Sequence, residues 1–314
     1  MYCSMSITTL IGAPLDLGGA SLGVDIAPQT LRDHHIAEKL ESTGLSIQDN
    51  GDIAITPRDQ LQPGNPHLKY ADEIIRVNEQ LAQQTHDAVK AGQLATVLGG
   101  DHAVCLGAVA GASVALNGEL GLIYLDAHGD MNTDKTSLTG NIHGMHLASL
   151  MGFGARELVD VFGKGAKIQT GNLVHIGGAD LDEAEKQLMS QQNLHTFTMF
   201  DLLTSNLSPA LQLIDDLASR VKHLWVSLDL DCIDEVYAPG AGMPNKKGLT
   251  YREIATIAER IGSTNKVVGV DVVEYNPHQD VDSKTAELSI ELIATFYGKS
   301  YSWYTNYLAK NQSA

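Results

Sequence analysis

Short apolar runs alternate with segments of helical periodicity along most of the chain, and this alternation constrains the fold most strongly. Continuous apolar runs of this length are typical of strands that are covered on both faces of a sheet. Strands that alternate with helices favour a parallel sheet, because each helix carries the chain back to the starting edge. We therefore predict an α/β fold with three layers, α/β/α, around a central and mostly parallel sheet.

The predicted elements follow from these patterns. The strands are expected at residues 6–12, 94–98, 121–125, 173–176, 195–199, 223–228 and 267–273. Helical segments include residues 28–43, 70–91, 102–116, 182–191, 209–221, 250–261 and 286–297. The length of 314 residues would allow two domains, but no linker, repeat or composition shift divides the chain. We therefore predict a single catalytic domain over residues 1–314.

The charge of the chain excludes some classes of partner. Its net charge is −17, from 21 Lys and Arg against 38 Asp and Glu, which disfavours generic binding to nucleic acid or anionic membranes. No stretch approaches the ~20 apolar residues of a membrane span, and the first residues do not resemble a secretory signal. Cys3, Cys105 and Cys232 have unrelated spacings that favour free thiols. We expect a cytoplasmic protein with no nucleic-acid or membrane partner.

Acidic residues and histidines follow the apolar runs at four places. These segments are Gly99-Gly100-Asp101-His102, Asp126-Ala127-His128-Gly129-Asp130, Asp229-Leu230-Asp231 and Asp271-Val272-Val273-Glu274. In open parallel sheets, ligands bind beyond the carboxyl ends of the strands. The four segments are therefore expected to lie close together and to form a site.

The spacing of these residues indicates a metal site. In an extended segment, side chains at i, i+2 and i+4 share a face, so Asp126, His128 and Asp130 should point the same way, as should Asp229 and Asp231. Burying several carboxylates together requires a counter-ion. Oxygen ligands with some imidazole suit Mn²⁺ or a related divalent metal better than structural Zn²⁺, and the number of carboxylates favours two ions.

These residues, in this order, resemble the arginase/agmatinase (ureohydrolase) family of metal-dependent hydrolases that cleave carbon–nitrogen bonds of guanidines. The resemblance extends from Gly12-Ala13-Pro14 to Glu274-Tyr275-Asn276-Pro277 and the helix after it. It implies an arginase-like fold and two Mn²⁺ per subunit. The implied metal ligands are His102, Asp126, His128, Asp130, Asp229 and Asp231. Among them, Asp126 and Asp229 match the family's bridging carboxylates.

Within the family, the chain looks most like the members that hydrolyse L-arginine. The motif Thr139-Gly140-Asn141-Ile142-His143-Gly144 follows Asn132, and the resemblance implies that Asn132, Thr139 and Asn141 contact the substrate α-carboxylate. Asp182 matches the acid that binds the α-amino group, with Glu185 as a helper through water. Because agmatine lacks the carboxylate, these residues favour L-arginine as the substrate.

The resemblance also implies a reaction. A hydroxide that bridges the two metals attacks the guanidinium carbon, and the products are L-ornithine and urea. The implied catalytic residues are Glu274, which clamps the guanidinium, His143, which shuttles protons, and Asp130, which also binds metal. The family's habit favours a homotrimer or homohexamer.

Two alternative functions remain, and the chain departs from the family pattern in three places. The chain could hydrolyse another guanidino compound, such as agmatine or guanidinobutyrate, or be a catalytically silent metal-binding protein of the same fold. Met243 stands where the family usually has a hydroxyl, and Lys246 and Lys247 replace residues that are usually uncharged. Ala179 stands where an arginine is frequent, which bears on subunit contacts.

Overall fold

The apolar runs form an eight-stranded parallel sheet in the computed structural model, which describes residues 7–299 and 301. The strands are β1 (Ile7–Ala13), β2 (Ser46–Asp52), β3 (Gly64–Asn65), β4 (Leu68–Lys69), β5 (Leu94–Gly99), β6 (Leu120–Leu125), β7 (Leu173–Gly178), β8 (His195–Thr198), β9 (His223–Asp229) and β10 (Val267–Val273). The order across the sheet is β2-β1-β5-β10-β9-β6-β7-β8, while β3 and β4 form a separate antiparallel pair.

Helices cover both faces of this sheet. They are α1 (Ala27–Asp33), α2 (Ile36–Glu41), α3 (Ala71–Lys90), α4 (Cys105–Ala115), α5 (His146–Leu150), α6 (Arg156–Val159), α7 (Glu183–Gln191), α8 (Met199–Ser205), α9 (Ser208–Arg220), α10 (Tyr251–Ser263) and α11 (Lys284–Phe296). One buried cluster joins the sheet to α9, α10 and α11, and a second joins it to α3 and α4. The predicted three-layer α/β/α fold with a parallel sheet is confirmed.

Several elements differ from the sequence-based expectation for local reasons. The helix predicted over residues 28–43 is divided into α1 and α2, because His35 adopts the left-handed conformation with φ 59°. Strand β2 was not predicted: it lies at the sheet edge, where its polar residues are largely exposed. The short helices α5, α6 and α8 were also not predicted, since each has too few residues to show a helical period.

Some of the sequence-based predictions concern residues at the ends of the chain. Cys105 and Cys232 are buried free thiols, whereas Cys3 and Ser6 lie outside the described residues. The single domain predicted over residues 1–314 also extends beyond the described residues at both ends. Among the helices described, none is both long and apolar enough to cross a bilayer.

Candidate active site and metal centre

The four innermost strands bring together the residues that the sequence singled out. Strands β5, β10, β9 and β6 are neighbours and run parallel, so their carboxyl ends meet at one edge of the sheet. His102 begins the 3₁₀ turn after β5, Asp126 directly follows β6, and Glu274 directly follows β10. Strand β9 ends at Asp229 itself. Residues far apart in sequence therefore form one cluster.

Two groups of potential metal ligands share Asp126. In the first, Nδ1 of His102 lies 3.0 Å from Oδ2 of Asp126 and 3.0 Å from Oδ2 of Asp229. In the second, Nδ1 of His128 lies 2.9 Å from Oδ2 of Asp231 and 3.5 Å from Oδ1 of Asp126. Within each group the ligand atoms lie within 4.8 Å of one another. The two oxygens of Asp126 thus face different imidazoles, as a bridging carboxylate would.

Asp130 joins the first group by a different backbone geometry from the one expected. Its Oδ2 lies 3.4 Å from Nδ1 of His102, but its φ of 47° is left-handed and not extended. Asp231 likewise lies in the 3₁₀ turn Leu230–Cys232 rather than in an extended segment. The expectation that strand alternation continues through these residues is wrong, because both follow the end of a strand. The turns bring their carboxylates to the cluster instead.

The donor set fits divalent cations. Oδ2 of Asp126 and Oδ2 of Asp231 are buried and lack a hydrogen-bond partner among the described residues, although each lies close to an imidazole nitrogen. Nitrogen and oxygen atoms at this spacing, with no hydrogen bond between them, are suited to coordinate a shared ion. Burial, followed by the charge of Asp126, raises the pKa of Asp130 and Asp231 above the ordinary range. A bound cation would give the unpartnered carboxylate oxygens a partner and would favour the ionised form of the buried acids.

Buried groups behind His102 fix the orientation of its ring. Ser227 donates its hydroxyl proton to Oδ2 of Asp271 at 2.5 Å, and the Ser227 oxygen lies 2.9 Å from Nε2 of His102. The Ser227 oxygen therefore accepts a hydrogen bond from the N–H at Nε2 of His102. This leaves the unprotonated Nδ1 facing the carboxylates. Trp225 holds the other oxygen of Asp271 through its indole N–H. Hydrogen bonds of this kind select the tautomer that a metal ligand requires.

Sequence reasoning did not identify Tyr124, His146 or Ser227 as site residues, and it named Asp271 only as part of the acidic segment that ends at Glu274. Tyr124 and Ser227 stand two positions before Asp126 and Asp229, so strand alternation places each pair on one face. That signal could have located both of them. His146 carries no comparable signal, since its contacts depend on how separate elements pack.

His143 and Glu274 face each other beside the metal groups. Nδ1 of His143 lies 3.3 Å from Oε1 of Glu274, and the same oxygen accepts the backbone N–H of His102 at 2.9 Å. Burial alone would lower the pKa of His143, but the Glu274 carboxylate reverses this effect and raises it to about 9. Burial would raise the pKa of Glu274, but His143 and the N–H of His102 lower it overall. The pair therefore favours an imidazolium beside a carboxylate.

A cavity of about 250 Å³ opens onto this cluster. It is lined by His128, Asp130, Asn132, His143, Gly144, Asp180, Asp182, Glu185, Asp229, Met243 and Glu274. Asn132 donates to Oδ2 of Asp182 at 2.7 Å, and Glu185 closes a capping box with Asp182 at the start of α7. The structure thus brings Asn132, Asp182 and Glu185 together with His143 and Glu274 around one cavity.

Thr139 and Asn141 stand apart from the other predicted site residues. In the described part of the chain, neither lines the cavity. Oγ1 of Thr139 accepts the backbone N–H of Asn141 at 3.2 Å, and Oδ1 of Asn141 accepts from Nζ of Lys69 at 3.4 Å. The carbonyl of Gly140 also accepts the backbone N–H of Lys69, which draws this segment toward the β3–β4 pair.

The loop after β9 contains three residues that depart from the family pattern, of which one lines the cavity and two lie at the surface. Met243 lines the cavity and is 40% exposed. Lys246 extends into solvent, with Nζ 3.8 Å from Oε1 of Glu235, and Lys247 lines a neighbouring surface pocket together with Ala179. Among these departures from the family pattern, Met243 is the one that meets the cavity.

Comparison with known proteins agrees with this arrangement. A family model described as the arginase family matches residues 7–298. An arginase from Brevibacillus brevis is 36% identical over 291 residues, which are 92% of this chain and 97% of that protein. The arginase structure from Bacillus caldovelox aligns with a TM-score of 0.90 and 36% identity, covering 95% of this chain and 100% of that one.

A more distant structure has the same fold. The Entamoeba histolytica arginase in complex with L-ornithine aligns with a TM-score of 0.85 and 27% identity, over 94% of this chain and 99% of that chain. The family model and the relatives therefore span nearly the whole chain, including every element that contributes to the cluster. The chain belongs to the arginase family.

Proposed function

We propose that this chain is a manganese-dependent hydrolase that converts L-arginine to L-ornithine and urea. The observation that carries the proposal is the pair of ligand groups that share Asp126 at the edge of a cavity lined by His143 and Glu274. The residues that would hold the two Mn²⁺ are His102, Asp126, His128, Asp130, Asp229 and Asp231. When bound, two such cations lower the pKa of water, so that a nucleophile is available near neutral pH.

The residues of the chain would orient the substrate and supply the proton. The Glu274 carboxylate, which is ionised at neutral pH, would bind the cationic guanidinium. The raised pKa of His143 keeps its imidazole protonated, so that it can donate a proton to the leaving amino group. Asp182, braced by Asn132 and Glu185, would bind the substrate α-amino group at the far side of the cavity.

A second guanidino substrate is favoured by one observation. Thr139 and Asn141, the residues implied in α-carboxylate recognition, do not line the cavity in the described part of the chain. A substrate without that carboxylate, such as agmatine or guanidinobutyrate, would not need them. If the chain instead binds metal without catalysis, it would release no urea from any of these compounds.

A urea assay separates these possibilities. Purified protein is stripped of metal, reloaded with Mn²⁺ and supplied with L-arginine, agmatine or guanidinobutyrate at equal concentration. We expect urea release to need Mn²⁺ and to be at least tenfold faster with L-arginine. Equal or faster release from agmatine would contradict the substrate assignment, and no release from any of them would contradict the proposed activity.

We further propose a cytoplasmic homotrimer or homohexamer. The buried free thiols Cys105 and Cys232 support a reducing compartment. The exposed side chains of Phe200 and Leu203 on α8, 71% and 85% exposed, support an apolar contact between subunits. Sedimentation equilibrium measures the assembly directly, and a monomer at all concentrations would contradict the proposal.

A further inference from the structure

Tyr124 is a buried tyrosine on β6 whose hydroxyl contacts three residues of the site. The hydroxyl donates to Oδ2 of Asp130 at 2.6 Å and lies 3.2 Å from Nδ1 of His102. Its ring is stacked on the ring of His102, with centroids 5.0 Å apart and planes 5° from parallel. One side chain therefore orients both a carboxylate and an imidazole of the first metal group.

His146, at the first position of α5, continues this contact toward His143. Its Nε2 lies 3.0 Å from the Tyr124 hydroxyl, and its Nδ1 lies 2.6 Å from the backbone carbonyl oxygen of His143. Because a carbonyl can only accept, Nδ1 carries a proton and donates it. The His146 ring thus packs against the Tyr124 hydroxyl on one side and donates to the backbone of the residue that is proposed to move protons on the other.

Packing alone does not account for these two residues. Both side chains are 0% exposed, and burying a hydroxyl and an imidazole costs free energy unless each polar atom is bonded. Phenylalanine and an aliphatic residue would fill similar space without that cost. The polar atoms of Tyr124 and His146 are instead directed at Asp130, His102 and His143.

We propose that Tyr124 and His146 are positioning residues that form a buried brace between the metal ligands and the proton-transfer loop. The hydroxyl of Tyr124 would hold the Asp130 carboxylate in the orientation that binds metal. His146 would keep the 3₁₀ turn Ile142–Gly144, and with it the His143 ring, at a set distance from that carboxylate. The inference rests on the metal-dependent function proposed above and adds to it two residues that touch no substrate.

The first test removes the Tyr124 hydroxyl and retains its ring. Tyr124→Phe is compared with the control Tyr297→Phe. The hydroxyl of Tyr297, the residue after α11, donates to the carbonyl of Ala95 on β5 at 2.9 Å, so the control also deletes a hydrogen-bonded tyrosine hydroxyl. Mn²⁺ binding to metal-stripped protein is measured by titration calorimetry, and kcat and KM for L-arginine are measured separately. We expect Tyr124→Phe to weaken one of two Mn²⁺ sites about tenfold and to lower kcat about tenfold, with KM within twofold.

The control should behave differently. Tyr297→Phe should lower the melting temperature but leave Mn²⁺ affinity and kcat unchanged. If Tyr124→Phe changes only the melting temperature, as the control does, then Tyr124 is a structural residue and the proposed brace is wrong.

A second pair of variants tests the His146 half, including the case in which Tyr124→Phe does not fold. His146→Asn retains a donor near the position of Nδ1 but is too short to reach Tyr124, whereas His146→Ala removes both contacts. We expect His146→Asn to recover at least half of the kcat that His146→Ala loses, because the bond to the His143 carbonyl is restored. Equal kcat values for the two variants would overturn the proposed role of His146.

Failure of the brace can be distinguished from failure of the proposed activity. Mn²⁺ affinity is measured without substrate, so it tests Tyr124 even if wild-type protein releases no urea. If wild-type protein binds two Mn²⁺ and Tyr124→Phe binds both equally well, the brace is refuted whatever the substrate is. If wild-type protein binds no Mn²⁺, both proposals fail together.

Discussion

Asp126 lies at the centre of the site, and its two carboxylate oxygens face different histidines. Oδ2 faces His102, while Oδ1 faces His128 and also accepts the backbone N–H of His128 at 2.6 Å. An amide has the same shape but offers one oxygen and a pair of N–H donors that a cation would repel. The position therefore tolerates no neutral replacement if it bridges two ions.

Asp126→Asn is accordingly expected to lose metal and activity together. Metal content after loading, measured by mass spectrometry, should fall below one ion per chain, and urea release should fall at least 100-fold. The matched control is Asp215→Asn, which makes the same change at a surface carboxylate paired with Arg260. Wild-type activity in Asp126→Asn would refute the assigned metal centre.

Met243 places a thioether on the cavity wall, at a position where the sequence resemblance implies a hydroxyl. A hydrogen bond to a charged substrate contributes about 1.5–3 kcal/mol, which corresponds to tenfold or more in binding. We expect Met243→Thr to raise kcat/KM for L-arginine about three- to tenfold. Met243→Leu, which matches the volume without a hydroxyl, should leave it unchanged. Equal values for the two variants would show that the hydroxyl has no role.

At the scale of elements, the close contact between β9 and β10 depends on one glycine. Gly269 is paired with Trp225, and a Cβ at Gly269 would lie 2.0 Å from Cζ3 of the Trp225 ring. The indole N–H of Trp225 also donates to Asp271, and Asp271 accepts the hydroxyl of Ser227, which lies behind His102. A small change in the spacing of β9 and β10 would therefore alter the position of His102 in the site.

Gly269→Ala should lower the free energy of unfolding by about 2–3 kcal/mol, because neither the indole nor the backbone can move away without cost. Chemical denaturation measures this difference. Gly171→Ala is the control, because a Cβ there would meet no atom within 4 Å among the described residues. A loss of less than 0.5 kcal/mol in Gly269→Ala would show that the strands adapt.

An ion pair between Glu73 and Arg76 near the start of α3 predicts that the stability of the fold depends on pH. The Arg76 guanidinium, with a smaller contribution from the Thr56 N–H, holds the pKa of Glu73 at about 2, below its ordinary value of 4.5. A lowered pKa in the folded state stabilises the fold above pH 4.5, and this stabilisation is lost as the pH falls toward 2.

Glu73→Gln should therefore be less stable than wild type by about 1 kcal/mol at pH 7, and the difference should shrink below pH 4.5. Metal-free protein is used for both, so that metal release in acid does not contribute. Glu119→Gln, at an exposed ion pair with Lys222, should show a clearly smaller change, because solvent screens that pair. A difference between Glu73→Gln and wild type that is the same at pH 7 and pH 3 would contradict the assignment.

The central strands of the sheet have sequence patterns that reflect their burial. Strands β5, β6, β9 and β10 are covered on both faces and show continuous apolar runs. Among the described strands, β2 pairs only with β1, and its sequence from Gln48 to Asp52 is polar, so it shows no apolar period. The positions of Asp130 and Asp231 depend on turns after strand ends, where alternation no longer applies. Side chains on the strands can thus be placed from sequence, whereas those on turns require the folded backbone.

At the scale of the whole molecule, the net charge of −17 includes carboxylates that are gathered and buried at one edge of the sheet. Asp126, Asp130, Asp229 and Asp231 repel one another there. Bound cations would convert this repulsion into attraction, so metal binding should be coupled to the stability of the entire fold.

Adding Mn²⁺ to metal-stripped protein should therefore raise the melting temperature. At a metal concentration of about 100 times the dissociation constant, the gain is about 2.7 kcal/mol, or several degrees for a chain of this size. Differential scanning calorimetry with Mn²⁺ and with a chelator measures the shift, and Asp126→Asn should abolish most of it. An unchanged melting temperature in wild-type protein would mean that the carboxylates do not hold a metal.

The sheet order has a consequence for how the molecule is made. Strands β9 and β10 lie side by side between β5 and β6, although both are synthesised after them. A nascent chain that has not yet reached residue 267 lacks β10, so the edge of β5 and the facing edge of β9 have no partner strand. The central strands and the carboxylate cluster can assemble only when the last third of the chain has left the ribosome. Chains truncated before β10 should therefore be unable to close the sheet, and should be substrates for chaperones or proteases.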